Sequence, residues 1–178
     1  MVAIMGNEAD LTKSKELFKS GDIEGTLETY EKALSKIDKS SDSRKYILFL
    51  KDILDYCKEN NLQEEEATAL RAMGRTYSVF KQYVDSLKYH WLSLKIQRKL
   101  GKKKEVAEGL IFIAEDLEVR GDYDESRESY NEAIKIYEEL GKKEKVQAIK
   151  QKLKRIDNFS KETLEEDYLR SKFNIGDF

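Results

Sequence analysis

"RGDYDESRESYNEAI" at 120–134 decides the fold, because the chain carries the same phrase twice. "SGDIEGTLETYEKAL" at 20–34 matches it through five identities: Gly21/Gly121, Asp22/Asp122, Glu28/Glu128, Tyr30/Tyr130 and Ala33/Ala133. In the later copy Ser126, Tyr130, Ala133 and Tyr137 stand at i, i+4, i+7 and i+11, which is one stripe along an α-helix. Small residues on such a stripe let a neighbouring helix approach, and the rings fill the space between. Gly121 suits the left-handed residue that ends one helix, and Asp122 suits the cap of the next. The phrase therefore predicts a helix end, a tight joint and a second helix.

A further repeat lies outward from it. "KLGKKKEV" at 99–106 returns as "ELGKKEKV" at 139–146, and 84–106 laid on 124–146 matches at Ser86/Ser126, Ile96/Ile136, Leu100/Leu140 and Gly101/Gly141. His90 meets Tyr130 and Ser93 meets Ala133, so the aromatic and small stripes persist. Gly101 and Gly141 predict helix ends, with lysines where the helix dipole favours cations. Thr26 and Ser86 are farther apart than this shift allows. An additional helix, "SRKYILFLKDILDYCKEN" (43–60), fills the difference with an apolar face of Ile47, Leu50, Ile53, Leu54 and Cys57.

These residues resemble the tetratricopeptide repeat family. "SKELFKSGDIEGTLETYEKAL" (14–34) has its order of a small residue, Leu-Phe, Gly-Asp at the turn, then small, Tyr and Ala. The same slots hold Ala114, Leu117, Gly121, Ser126, Tyr130 and Ala133 in one copy, and Gly74, Tyr77, Ser86, His90 and Ser93 in another. The resemblance spans most of residues 8–157 and implies an all-α, right-handed α-solenoid of stacked antiparallel helix hairpins. The family's usual period is about 34 residues, often closed by proline. Here glycine and a longer helix replace the proline, predicting a repeat of about 40 residues. Helices are predicted at 8–20, 23–38, 43–59, 62–80, 83–100, 103–119, 123–140, 142–157 and 161–172. The array occupies 1–157, and 158–178 forms a capping helix and tail.

Composition agrees with this architecture. Proline is absent, and helix interiors are where it is most disruptive. Charged residues make up 38% of the chain, yet the net charge is −2, which gives no general attraction to phosphate or anionic lipid. No apolar run is long enough to cross a membrane. "MVAIMGNEAD" lacks the basic flank of a secretion signal, so the expected location is cytoplasmic.

The residues predict no enzyme. His90, the single histidine, shares its slot with two tyrosines and is expected in the core. One cysteine, Cys57, excludes an internal disulfide and a multi-cysteine metal site. No phosphate-cradling glycine loop is present, and neither cofactor nor metal is expected. The basic edge of Lys95, Arg98, Lys99 and 102–104, continued through 142–155, is weakened by Glu105 and Glu144, so nucleic acid is an unfavoured partner and RNA binding along this edge is the less favoured alternative.

The resemblance implies a concave groove lined by the first helix of each pair, receiving a protein or peptide. The register assigns it Leu11, Lys15 and Phe18, then Arg71, Arg75 and Ser78, then Glu108, Ile111, Glu115 and Glu118, then Gln151, Arg155 and Asn158. Leu11 and Lys15 depart from the lysine and asparagine of the family's clamp for a terminal carboxylate, and Glu115 adds negative charge; two arginines beside three glutamates favour a segment of mixed charge. The "FNIGDF" tail raises an alternative, a homodimer in which the tail docks on another copy.

Overall fold

A computed structural model describes residues 2–173, with side chains from Glu8 to Phe159 and at Lys172. Among these residues all regular structure is helical: α1 (Val2–Ser20), α2 (Ile23–Leu34), α3 (Arg44–Glu59), α4 (Gln63–Val79), α5 (Tyr83–Lys99), α6 (Lys103–Arg120), α7 (Tyr123–Glu139) and α8 (Lys143–Phe173). The helices stack as hairpins in an all-α solenoid, the predicted class.

Six helix joints share one construction. Gly21, Asn61, Lys81, Gly101, Gly121 and Gly141 adopt positive φ. The next residue's N–H then donates to a carbonyl five positions back, as Asp22 does to Leu17 at 3.1 Å and Asp122 to Leu117 at 2.9 Å. This is the Schellman closure, which satisfies the carbonyls a helix end leaves free. Asn61 and Lys81 hold it without glycine; asparagine tolerates the left-handed region, whereas Lys81 carries no sign of it.

One joint is missing. α2 is predicted to reach residue 38 but ends at Leu34. Beyond it the Asp38 carboxylate accepts the Ser40 N–H at 2.9 Å and the Ser40 hydroxyl at 2.8 Å, a turn that competes with helix.

The tight hairpins α1–α2, α4–α5 and α6–α7 each contain one buried hydroxyl-to-carbonyl bond of 2.8 Å. Ser14 donates to Thr26, Ser86 to Gly74 and Ser126 to Ala114. The small residues of the repeat thus bond the paired backbones as well as letting them approach.

Side-chain bonds link α2, α4, α6 and α8 in one layer. Glu31 pairs with Arg75, Arg71 with Glu108 and Glu118 with Arg155. The other layer holds α1 beside α3, through Phe18 and Phe49, and α5 beside α7, through Arg98 and Glu132. α1 was predicted to share the layer of α4 and α6, and α2 takes that place instead. The reason is α3, whose Tyr46, Phe49, Leu50 and Ile53 are all buried. Phe49 packs between Phe18 and Tyr30, and Tyr46 packs on Phe80. α3 therefore lies beside α1, and α2 is left directly against α4.

α8 runs unbroken where two helices, 142–157 and 161–172, were predicted. Residues 158–161, Asn-Phe-Ser-Lys, contain neither glycine nor proline to stop it. The capping contacts expected of Leu164, Tyr168, Leu169 and Phe173 fall outside the described side chains. Residues 174–178 fall outside the described residues. No described helix is long and apolar enough to cross a membrane.

Candidate protein-binding groove

The trough of this layer is built on α2, α4 and the start of α6. On α2, Glu24, Glu28, Glu31 and Ser35 follow a helical stripe beside the buried Thr26, Tyr30 and Ala33. The buried stripe holds the helix down and so presents the acidic one to solvent. α4 adds Glu64, Glu65, Thr68, Arg71 and Arg75, and α6 adds Lys104 and Glu105. Together with Leu27 and Lys32 they enclose about 1080 Å³. The lining sets six carboxylates against four cations.

The two arginines occupy different settings. Arg75 pairs with Glu31, and its guanidinium lies 5.0 Å from the Phe112 ring centre. Burial pulls its pKa down, while Glu115 and Glu108 oppose that shift. Arg71 meets Glu108 at 3.6 Å, and Glu108 also faces Lys104 at 3.8 Å. Each groove arginine is thus held by a carboxylate from a neighbouring helix.

The predicted site residues divide into four groups. Arg71, Arg75 and Glu108 come together at the groove. Ser78 donates instead to Asp116 at 2.6 Å, bridging α4 and α6. Farther along, Ile111 is half-buried against the core shared by α5, α6, α7 and α8, Glu115 pairs with Lys152, Arg155 meets Glu118 at 2.8 Å, and Gln151 is exposed on α8. Lys15 and Phe18 do not reach the groove; they lie with Lys19, Lys45, Leu48, Phe49 and Asp52 between α1 and α3. The displacement of α1 by α2 explains it. The α2 carboxylates take their place, and their i, i+4, i+7 spacing was the available signal.

Beneath the groove lies a buried polar node. Asp116, 3% exposed, accepts from Ser78 and Ser86. His90 is 1% exposed, with Nε2 3.9 Å from Asp116 Oδ2 and its ring stacked on Phe112 at 5.5 Å. Burial pushes the His90 pKa down to about 3, and Arg75 and Arg71 add to that shift. Burial raises the Asp116 pKa against the two hydroxyls that lower it. A serine nucleophile needs an adjacent base, commonly a histidine, to take its proton. Here the aspartate sits between serine and histidine, all within the core, so the node packs the stack. Among the described residues no group of His, Cys, Asp and Glu is placed to hold a metal ion.

The slots expected to be equivalent are equivalent. Tyr30, His90 and Tyr130 are all buried on the second helix of a tight hairpin. The Tyr30 hydroxyl meets Thr76 Oγ1 at 2.8 Å, and the Tyr130 hydroxyl donates to Glu118 at 3.3 Å.

Comparison with known proteins agrees with this architecture. Residues 65–139 match the family model for the tetratricopeptide repeat. No curated protein matches the chain in sequence. The crystal structure of BtubC (BKLC) from P. vanneervenii is similar to it with a TM-score of 0.73 at 14% identity, covering 88% of this chain. The chain spans 66% of that protein, just under two thirds of its length. The TPR domain of Arabidopsis FLU is similar at 17% identity, with a TM-score of 0.45, covering 76% of this chain and 98% of that one. The apo form of RapI is similar at 14% identity, with a TM-score of 0.44, covering 93% of this chain and 68% of that one. The hairpin joints, the small and aromatic slots and the family match lead to one identification: residues 65–139 carry tetratricopeptide repeats.

Proposed function

We propose that the chain is a non-enzymatic cytoplasmic scaffold that receives a segment of another protein in the groove of α2, α4 and α6. The observation that carries this reading is the groove itself: about 1080 Å³ of open trough, acidic overall, with Arg71 and Arg75 set among its glutamates. A segment with basic residues on either side of one acidic residue matches that pattern. Its cations face Glu24, Glu28, Glu64 and Glu65, and its carboxylate competes for the arginines with Glu31 and Glu108. Charge matching of this kind contributes more to selection and to the rate of encounter than to affinity. Repeat proteins commonly use extended concave surfaces for such recognition.

Site-specific photo-crosslinking tests the proposal. A benzophenone side chain is placed at Thr68 in the groove or at exposed Glu128 on α7, and the chain is exposed to native cell extract. The proposal predicts discrete adducts from position 68 that vanish with Arg71→Glu/Arg75→Glu, and none of these adducts from position 128. The same adducts from both positions, or adducts indifferent to the arginines, would remove the groove assignment.

A further inference from the structure

A second hollow, separate from the groove, lies between α1 and α3 and encloses about 530 Å³. Its floor is apolar. Phe18 meets Phe49 edge-on at 5.8 Å and Tyr56 at 5.7 Å, and Leu48 is 60% exposed. Its rim carries Lys15, Lys19 and Lys45 against one acid, Asp52.

Those lysines differ from six basic residues of the groove and the α5–α8 surface. Arg71, Arg75, Arg98, Lys102, Lys103 and Arg155 each stand in an ion pair. None of the three rim lysines forms one among the described residues. Lys15 Nζ lies 5.7 Å from the Phe49 ring centre and Lys45 Nζ 5.0 Å from that of Tyr46. Their stems extend the apolar wall, and their ammonium groups ring it with positive charge in excess of the one carboxylate, Asp52. An exposed apolar floor favours an apolar anchor. A rim of net positive charge favours carboxylates on either side of that anchor.

We infer that the α1–α3 hollow is a second docking surface, taking an acidic protein segment that carries an aromatic or aliphatic anchor. It recognises the opposite charge pattern to the groove, so one chain holds two dissimilar segments at once.

The probe is a fluorescein-labelled peptide, Glu-Asp-Phe-Leu-Asp-Glu, titrated with the full chain and followed by anisotropy. Saturable binding is expected, weakened about tenfold or more by Lys15→Glu/Lys45→Glu and by Leu48→Ser. Arg71→Glu/Arg75→Glu, in the groove, is expected to change it by less than about twofold. Lys15, Lys45 and Leu48 are exposed, so these variants keep the fold, and their far-ultraviolet circular dichroism verifies that. Absence of saturation up to about 1 mM protein would overturn the inference. So would equal binding of Lys-Lys-Phe-Leu-Lys-Lys, or loss of binding through the arginine variant alone.

Discussion

From Asn61 to Gly141 the chain places a left-handed joint at 61, 81, 101, 121 and 141, one every 20 residues. Between Gly21 and Asn61 it goes 40 residues without one. The regular region builds tight hairpins whose first helices face the groove, and the family match at 65–139 falls inside it. The irregular region contains an equally tight hairpin, α1–α2, but its second helix faces the groove. The additional helix α3, set in the chain between the α1–α2 hairpin and α4, has therefore changed which side chains line the trough. It has replaced Lys15 and Phe18 with the glutamates of α2, and it has left the aromatic residues of α1 and α3 together on another surface. In a stacked array, the exposed face of each helix depends on how its neighbours are joined.

Substitutions in the two regions sharpen that contrast. The largest effect is expected at Gly74, where an added Cβ would lie 2.7 Å from the buried His90 ring. Gly74→Ala should destabilise by about 2–3 kcal/mol in urea unfolding, because the ring has no room to move. The same change at Gly109, where the nearest atom would be 3.4 Å away, should stabilise by about 0.5–1 kcal/mol through helix propensity alone. The equivalent slot in α1 is Ser14, which already carries a Cβ. Equal effects at 74 and 109 would show that His90 does not press on α4.

The next effect is a pH dependence. His90 has its folded pKa lowered to about 3 from 6.5. A depressed folded pKa contributes stability that is present above pH 6.5 and is lost as pH falls toward 3, because the unfolded chain takes up the proton first. Between pH 7.5 and 5 this one group should remove about 2 kcal/mol. Asp116 acts in the opposite sense: with its pKa raised by burial, its contribution is present below 3.8 and is lost as pH rises through the raised value. Comparison with His90→Gln isolates the histidine, the only one in the chain. Urea midpoints that fall equally in both proteins over that range would place His90 in water.

Smaller still is the strain at Lys81, a non-glycine residue at φ 59°. Relief of left-handed strain outweighs the added freedom of the unfolded chain, so Lys81→Gly should raise stability by about 0.5–1 kcal/mol. A fall in the thermal midpoint would contradict it. The smallest effect is expected for the Arg98–Glu132 pair, whose side chains are 46% and 45% exposed. A double-mutant cycle there should give less than about 0.5 kcal/mol.

The local features were legible. The stripe through Ser126, Tyr130, Ala133 and Tyr137 is a helix-period signal, and the glycine joints are a backbone signal; both depend on residues a few positions apart. The aromatic slot of His90 was legible through its repeat partners. The layer exchange between α1 and α2 was not, because it depends on contacts far apart in the chain, such as Tyr30 with Thr76 and Phe18 with Phe49. Asp116 was hidden for a related reason. It stands in "AEDLE" (114–118) beside two other carboxylates, Glu115 and Glu118, that are only partly buried, and the approach of Ser78 and Ser86 from two other helices makes it a core residue.

Cysteine cross-linking in a Cys57→Ala background tests the central claim, that α2 rather than α1 adjoins α4 in the groove layer. Glu31→Cys/Arg75→Cys joins two positions that form an ion pair, whereas Lys15→Cys/Arg75→Cys joins positions on separate surfaces. With a short bismaleimide, the first protein should close rapidly to a single intramolecular species and the second should remain open. Rapid closure of the 15–75 pair, with the 31–75 pair left open, would return α1 to the groove and contradict the account.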